Sequence, residues 1–577
     1  MINNNKSELM SALWECKIYF QYALIFSIVV NLLSLAPVGY MKDVYGPVLN
    51  SRSYHLLMTV TLLLIGFLVV SGIVEWVRGR LLQAASVAIN EKLGLRVFEA
   101  SYSSYLKSRS NAARGALQDL KAIRYFIASP AMASILDIPI SFMFILLVYL
   151  IHPRMGLVAL CALIFMFVLG YWTELKVRPV VKQALEANTD AQMYIADSGA
   201  NAQTIHALGM MSNLQNRWEK FQRQHIEQMA IATHSQALGA ALSKFILTGQ
   251  GSVVIGVGCW LFIMGELNDS GGSLIIASII GGRAIQPLAR LIGSWKSIVS
   301  AREAYLRLNK FLEETPSRKR TMPLPPPVGF LSVEDLTARA PGSSAIILSK
   351  VTFKLNPGAC LAIMGPSGSG KSSLARLLVG VWPCVSGSVR LDNVDVHSWD
   401  KDELGPHLGY LPQDIELLDG SIEDNICRFG PVDSDALDRA IASVGLTEFV
   451  GNLPQGLQTK IIDGGSTLSG GQRQRLGIAR AIYGIPRLVV LDEPNANLDY
   501  EGTEALYRTI GELSSAGSTV VIVTHKKDIL PIVDRILILK DGRPQIFGPR
   551  DLVLDKLAGK EVKTITPAQA AKLHQKT

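Results

Sequence analysis

Cysteine is scarce in this chain. Its 577 residues hold six, Cys16, Cys161, Cys259, Cys360, Cys384 and Cys427, and none forms a CxxC pair. Neither a zinc site nor a disulfide framework is indicated. Aromatic residues are few, at 7%, and do not interleave with basic clusters, so a net charge of +8 does not point to nucleic acid. An excess of Lys and Arg holding cytoplasmic loops inside accounts for that charge better. Charged residues make up 18% against 49% apolar, with a mean hydropathy of +0.27. Such a chain is too apolar for an average soluble protein and too charged to be membrane throughout. Its length suits roughly two to four domains. A signal peptide is not expected either, because the apolar stretch from Ala12 to Tyr40 is too long and no small-residue cleavage site closes it.

Six stretches reach the ~20 apolar residues that a spanning helix needs. They lie near Ile18–Tyr40, Leu56–Trp76, Ala131–Ile151, Met155–Leu175, Phe245–Met264 and Leu274–Trp295, the last interrupted by Arg283, Gln286, Pro287 and Arg290. Basic residues set the expected orientation. Val77 to Pro130 carries nine Lys and Arg, and Lys176 to Lys244 carries seven, whereas the opposite-side loops have only Lys42, Arg52 and Arg154. Both termini are therefore expected in the cytoplasm. The two basic segments keep a helical apolar period with few Gly or Pro, which predicts membrane helices that continue far beyond the bilayer. Asp137 and Arg283 invite a pathway role. The plainer expectation is that Asp137 begins a turn before Pro139 and that Arg283 snorkels to the interface.

Four prolines between Pro323 and Pro327 cannot continue a helix and favour an extended spacer. The expected organisation is a membrane domain over residues 1–312, a Pro-rich linker over 313–329, an α/β domain over 330–556 and a polar tail over 557–577.

The α/β domain carries the chemistry. The strand Leu361–Met364 runs into Gly365-Pro366-Ser367-Gly368-Ser369-Gly370-Lys371-Ser372-Ser373 and then a helix, which is GxxxxGK[ST] in its strand–loop–helix setting. Its glycines let backbone N–H groups curl around phosphates at a helix N-terminus. Lys371 is placed to reach the β- and γ-phosphates, and Ser372 to ligate Mg²⁺. A second apolar strand, Leu488–Leu491, delivers Asp492 to that Mg²⁺ and Glu493 to the attacking water.

Between these two lies Leu468-Ser469-Gly470-Gly471-Gln472-Arg473-Gln474-Arg475, opening a helix. Here the sequence resembles the ATP-binding cassette family, whose signature is LSGGQ, and the resemblance covers essentially the whole chain. It implies six transmembrane helices fused to an α/β P-loop ATPase domain that binds ATP and Mg²⁺. It also implies that Ser469, Gly470, Gly471 and Gln472 close on ATP held by a second subunit, so that two cassettes meet head to tail. Gln413 matches the loop glutamine that touches Mg²⁺, Asp499 the loop that crosses the dimer, and His525 the switch histidine at the γ-phosphate. Two positions depart from the family. Ala340 stands where an adenine-stacking aromatic is expected before Pro341. Ile462 replaces a glycine in Thr459-Lys-Ile-Ile-Asp463-Gly-Gly465.

Having the membrane domain and cassette in one chain is the exporter arrangement. Among exporters the chain looks most like the type I secretion permease/ATPases of proteases and lipases. Asp492-Glu-Pro-Asn-Ala-Asn-Leu-Asp499, Gly282-Arg-Ala-Ile-Gln-Pro-Leu288, Leu136-Asp-Ile-Pro139 and Gln545-Ile-Phe-Gly-Pro-Arg-Asp551 carry this likeness. Gly46-Pro47 departs from that branch. With membrane beginning within ~20 residues of the start, no peptidase-like domain is expected, which argues against a bacteriocin or haemolysin-type exporter. Loops of about 5–15 residues on the outer side are mere turns. The resemblance therefore implies a homodimer in a bacterial inner membrane, in contact with membrane lipid and served by a periplasmic membrane-fusion adaptor and an outer-membrane channel. Its cargo would be an unfolded secreted protein. A lipid or drug exporter of the same fold is the alternative, and a regulatory ATPase without transport is disfavoured by the six spans.

Overall fold

The computed structural model describes residues 7–107, 111–199, 201–267, 272–316, 322–341 and 343–557. Part of the expected linker, 317–321, and the tail from 558 onward lie outside the described residues. The chain divides into two compact units, Met1–Tyr105 with Arg109–Ser317, and Arg318–Thr577 with Leu106–Ser108.

The first unit is helical. In order come α1 (Glu8–Glu15), α2 (Lys17–Leu33), α3 (Ala36–Asp43), α4 (Tyr54–Lys107), α5 (Asn111–Ile127), α6 (Pro130–Ile151), α7 (Pro153–Gly199), α8 (Met211–Ile263), α9 (Gly272–Gly293) and α10 (Trp295–Glu314). Among the described residues, six helical segments are long and apolar enough to cross a bilayer, which makes this a multi-pass membrane protein. The spanning part of α4 leaves Leu62, Leu63, Ile65, Leu68 and Val69 exposed, as a lipid-facing helix must. At 54, 47 and 53 residues, α4, α7 and α8 run far past the ~20 residues that span a bilayer. The predicted helical extensions are thus present.

Two details differ from expectation. The first span does not stop at Tyr40 but continues to Ser51. Pro47 is absorbed in a π-turn at Val44–Val48, which shifts the ladder around the missing N–H. Asp137 does not begin a turn. It lies inside α6, 5% exposed, as does Pro139. Arg78 Nη1 donates to Asp137 Oδ1 at 3.0 Å and to Ser27 Oγ at 3.2 Å, and Asn31 Nδ2 donates to Asp137 Oδ1 at 2.9 Å. A buried carboxylate needs such partners, and this cluster ties α2, α4 and α6 together. Farther along, Trp295 Nε1 and Arg302 both donate to Glu174, at 2.8 and 3.0 Å, fastening α10 to α7.

The second unit is built on two larger sheets, apart from a two-stranded pairing of Gly420–Ser421 with Lys460–Ile461. Its strands are β1 (Leu331–Arg339), β2 (Ile346–Leu355), β3 (Cys360–Met364), β4 (Ser386–Leu391), β5 (Val394–Asp395), β6 (Leu408–Leu411), β7 (Leu488–Asp492), β8 (Thr519–Val523), β9 (Arg535–Lys540) and β10 (Arg543–Pro549). Helices α11 (Lys371–Leu378), α12 (Gly470–Ile482) and α13 (Tyr500–Ser515) matter most for the site. An antiparallel sheet runs in the order β2-β1-β4-β5, and a six-stranded sheet in the order β10-β9-β3-β8-β7-β6. Within the latter, β9, β3, β8, β7 and β6 are parallel neighbours. All of β7 and β8 is buried, which explains their unbroken apolar sequence. Side chains nevertheless alternate. Val521 and Val523 join a core shared with Val333 and Phe353 of the antiparallel sheet. Val520 and Ile522 join the opposite core with Leu476 of α12 and Leu506 of α13.

Candidate functional site

Parallel strands end on the same edge of a sheet, and four of these ends carry the residues singled out from sequence. The phosphate loop follows β3, Gln413 follows β6, Asp492 and Glu493 close β7, and His525 follows β8. That edge is where open α/β sheets bind ligands.

Backbone geometry explains the loop's glycines. Gly365 has φ +154° and a Cβ there would lie 2.1 Å from the Leu539 carbonyl oxygen; Gly370 has φ +93° and would meet Leu348 at 2.8 Å. Only glycine fits either place. Pro366, Ser367 and Gly368 form the bend, and Lys371 starts α11 with Ser372 and Ser373 in its first turn. Lys371 Nζ is buried and donates to the carbonyls of Gly365 and Pro366, each at 2.9 Å, which curls the loop about the amine. The Ser369 hydroxyl is buried without a hydrogen-bond partner among the described residues.

Beside the loop, Ser372 Oγ and Gln413 Oε1 stand 3.4 Å apart. Asp492 is 1% exposed, and its Oδ1 has no hydrogen-bond partner among the described residues. Burial pushes its carboxyl above the ordinary range, opposed by a hydrogen bond from Ser372 and reinforced by the charge of Glu493. A hydroxyl, an amide carbonyl and a carboxylate thus converge, a set of oxygens suited to a hard divalent cation.

Glu493 is held in the left-handed region at φ +50°, a costly conformation for a non-glycine residue. Its amide donates to the Val523 carbonyl at 2.9 Å. Its carboxylate Oε1 is 3.2 Å from His525 Nδ1, joining the ends of β7 and β8. Gln474 completes the restraint. It is 2% exposed and its Nε2 donates to the Pro494 and Glu493 carbonyls at 2.8 and 3.3 Å. Sequence reasoning passed over Gln474, which sits one turn into the signature helix.

The signature residues form a different feature. Ser469 caps α12: its Oγ accepts from the Gln472 amide at 3.2 Å, and Gln472 Oε1 accepts from the Ser469 amide at 2.8 Å. In this capping box the serine keeps its own O–H free to donate. Gly470 and Gly471 pack against Asn497, where a Cβ on Gly471 would lie 3.1 Å from the Asn497 carbonyl oxygen. No hydrogen bond among the described residues joins Ser469, Gly470 or Gly471 to the phosphate loop. Asp499 caps α13, accepting from Gly502 N at 2.9 Å and Arg475 Nη2 at 2.6 Å. The Gly502 amide and then the Arg475 guanidinium hold its carboxyl below the usual range.

A phosphate loop beside an acidic pair at the end of a buried strand, joined in one chain to six candidate spans, defines an ATPase coupled to transmembrane transport. The chain belongs to the ABC transporter family. Residues 348–496 match the family described as ABC transporter and residues 20–281 that described as ABC transporter transmembrane region. It is 37% identical to the type I secretion system ATP-binding protein PrsD of Rhizobium meliloti (strain 1021), over 95% of this chain and 94% of that protein. It is 28% identical to the toxin RTX-I translocation ATP-binding protein of Actinobacillus pleuropneumoniae, over 91% of this chain and 75% of that protein. The solved structure of a bacterial Atm1-family ABC exporter with ATP bound superposes with a TM-score of 0.79 at 19% identity, covering 95% of this chain and 99% of that one, and so shares the fold. The chain is an ABC exporter that binds ATP.

Proposed function

We propose that this chain is the ATP-hydrolysing inner-membrane component of a type I secretion system and exports an unfolded polypeptide as a homodimer. The observation that carries this is the correspondence with PrsD along 95% of the chain, through membrane unit and cassette alike. Residues 1–312 act as the membrane domain, 330–556 as the motor, and 313–329 as the tether between them. Both termini lie in the cytoplasm, on the side of the Lys- and Arg-rich segments. An adaptor and an outer-membrane channel continue the route.

In the motor, the loop Gly365–Ser373 and the α11 N-terminus hold the ATP phosphates, with Lys371 exchanging its carbonyl partners for phosphate oxygens. Ser372, Gln413 and Asp492 would hold Mg²⁺, which would supply charge neutralisation on the phosphates. Glu493 orients the attacking water and accepts its proton, and His525 steadies the carboxylate and faces the γ-phosphate. Ser469, Gly470, Gly471 and Gln472 offer a second helix N-terminus. Because one chain bears one of each, the signature of each subunit, flanked by Asp499, closes on the other's nucleotide.

The test is the ATPase rate of the protein in reconstituted membranes. A C-terminal segment of a secreted protein from the same source is expected to change the rate at about micromolar concentration, an affinity near 8 kcal/mol. Hydrophobic drugs and lipids should leave it unaltered. Modulation by drugs or lipids without any response to peptide supports the lipid or drug exporter instead.

A further inference from the structure

A polar cavity of about 140 Å³ lies within the membrane unit, lined by Asn31, Glu75, Arg78, Asp137, Arg283 and Arg290 among others. Its charges do not balance. Arg78 takes both carboxylates, Asp137 at 3.0 Å and Glu75 at 3.4 Å. Among the described residues Arg283 donates only to Gln286 Oε1, at 3.4 Å, and no carboxylate pairs with Arg283 or Arg290. These two arginines stand two turns apart on one face of α9, about 10.5 Å along its axis. Arg290 is exposed at one end of the stripe and Arg283 is partly buried farther along it. Unmatched cations in a spanning helix are expensive and mark ligand or ion routes. With ~30 Å³ per water, the cavity holds about five waters, room for one small acidic group but not for folded cargo.

We propose that Arg283 and Arg290, with Gln286, form a carboxylate-binding station for acidic side chains of the polypeptide in transit. The inference rests on the secretion reading above. A guanidinium presents a planar fork of donors matched to a carboxylate, and two of them along one stripe let an acidic segment pass from one to the next.

The test uses the full-length protein in phosphatidylcholine vesicles and two unfolded Gly/Ser-rich peptides that differ only in bearing glutamates or glutamines. Affinity is read from the change in ATPase rate. The acidic peptide is expected to bind at least about tenfold tighter, the scale of one charge-assisted hydrogen bond. Arg283→Gln with Arg290→Gln should bring that ratio close to one, and Arg283→Lys should keep most of it. Equal binding of the two peptides by the unaltered protein, or binding of neither, overturns the station and leaves secretion standing, which the secreted-protein segment tests by itself. A tenfold ratio that survives the double replacement also overturns it. So does a rate change that follows added phosphatidylglycerol instead of peptide, which assigns the arginines to lipid phosphate. Should the double variant fail to fold, the acid-to-amide ratio of the unaltered protein still decides.

Discussion

Replacing Asp137 by Ala should be among the most damaging single changes in the membrane unit. It removes the acceptor of both Arg78 and Asn31 and leaves a guanidinium that is 5% exposed without its main counter-charge. Breaking a buried pair in this way costs about 3–5 kcal/mol. Glu75, 3.4 Å from Nη2, and the Ser27 hydroxyl remain as partners, which places the expected loss near the lower end, ~3 kcal/mol. Asp137→Asn retains an acceptor oxygen and should lose less, about 1.5–3 kcal/mol. Replacing both members by apolar residues, Arg78→Met with Asp137→Leu, removes the stranded charge and should lie within ~1.5 kcal/mol of the parent. With the singles Asp137→Leu and Arg78→Met each costing about 3 kcal/mol, the cycle should report coupling of at least about 4 kcal/mol. Equilibrium unfolding in mixed micelles measures all four proteins. A single-variant loss below ~1 kcal/mol, or losses that simply add, refutes the view that this pair is a buried, mutually dependent unit.

Glu493→Gln should bind ATP yet hydrolyse it at least about a hundredfold more slowly, the scale of a lost general base, and trap a closed dimer; near-normal turnover removes Glu493 from that role. Gln474→Leu takes the donor from the Pro494 carbonyl, at ~1–3 kcal/mol for a buried acceptor, and leaves the Glu493 carbonyl to the Ala496 amide at 3.2 Å; single-turnover hydrolysis should fall roughly tenfold or more while ATP affinity changes little, and an unchanged rate argues against the clasp. Gly365→Ala forces a Cβ to 2.1 Å from the Leu539 carbonyl at φ +154° and should abolish nucleotide binding measured by fluorescence titration. With Ala340 in place of an aromatic and no stacking worth ~1–3 kcal/mol, ATP and GTP should bind within about tenfold of each other, and a larger preference for ATP contradicts this.

What could be read in advance follows from how local the chemistry is. A bilayer demands long apolar runs, so six spans stand out from composition. A phosphate loop needs glycines at fixed short spacing before a Lys and a Ser, so Gly365 to Ser373 is legible without a fold. Contacts between distant segments leave no such trace. Arg78 and Asp137 are 59 residues apart, and no periodicity links them. Pro139, two residues on, suggests a turn in a soluble chain, while a spanning helix tolerates it because neighbouring helices satisfy the freed backbone. Gln474 looks like one more polar residue after the signature; only the approach of α12 to the end of β7 shows its two carbonyl partners. The left-handed backbone of Glu493 is equally silent in sequence, since Asp-Glu-Pro carries no glycine to announce it.

The Gln474 clasp has a consequence for timing. Its helix begins at Ser469, which in the proposed head-to-tail pair answers to the neighbour's nucleotide, while its amide grips the carbonyl of the glutamate that serves its own. A shift of that helix when the neighbour's site closes or opens is felt within one turn by the local carboxylate. In that proposed pair the two hydrolysis centres would work as linked steps with an order, each able to hold the other waiting, and a stalled nucleotide on one side would brake both.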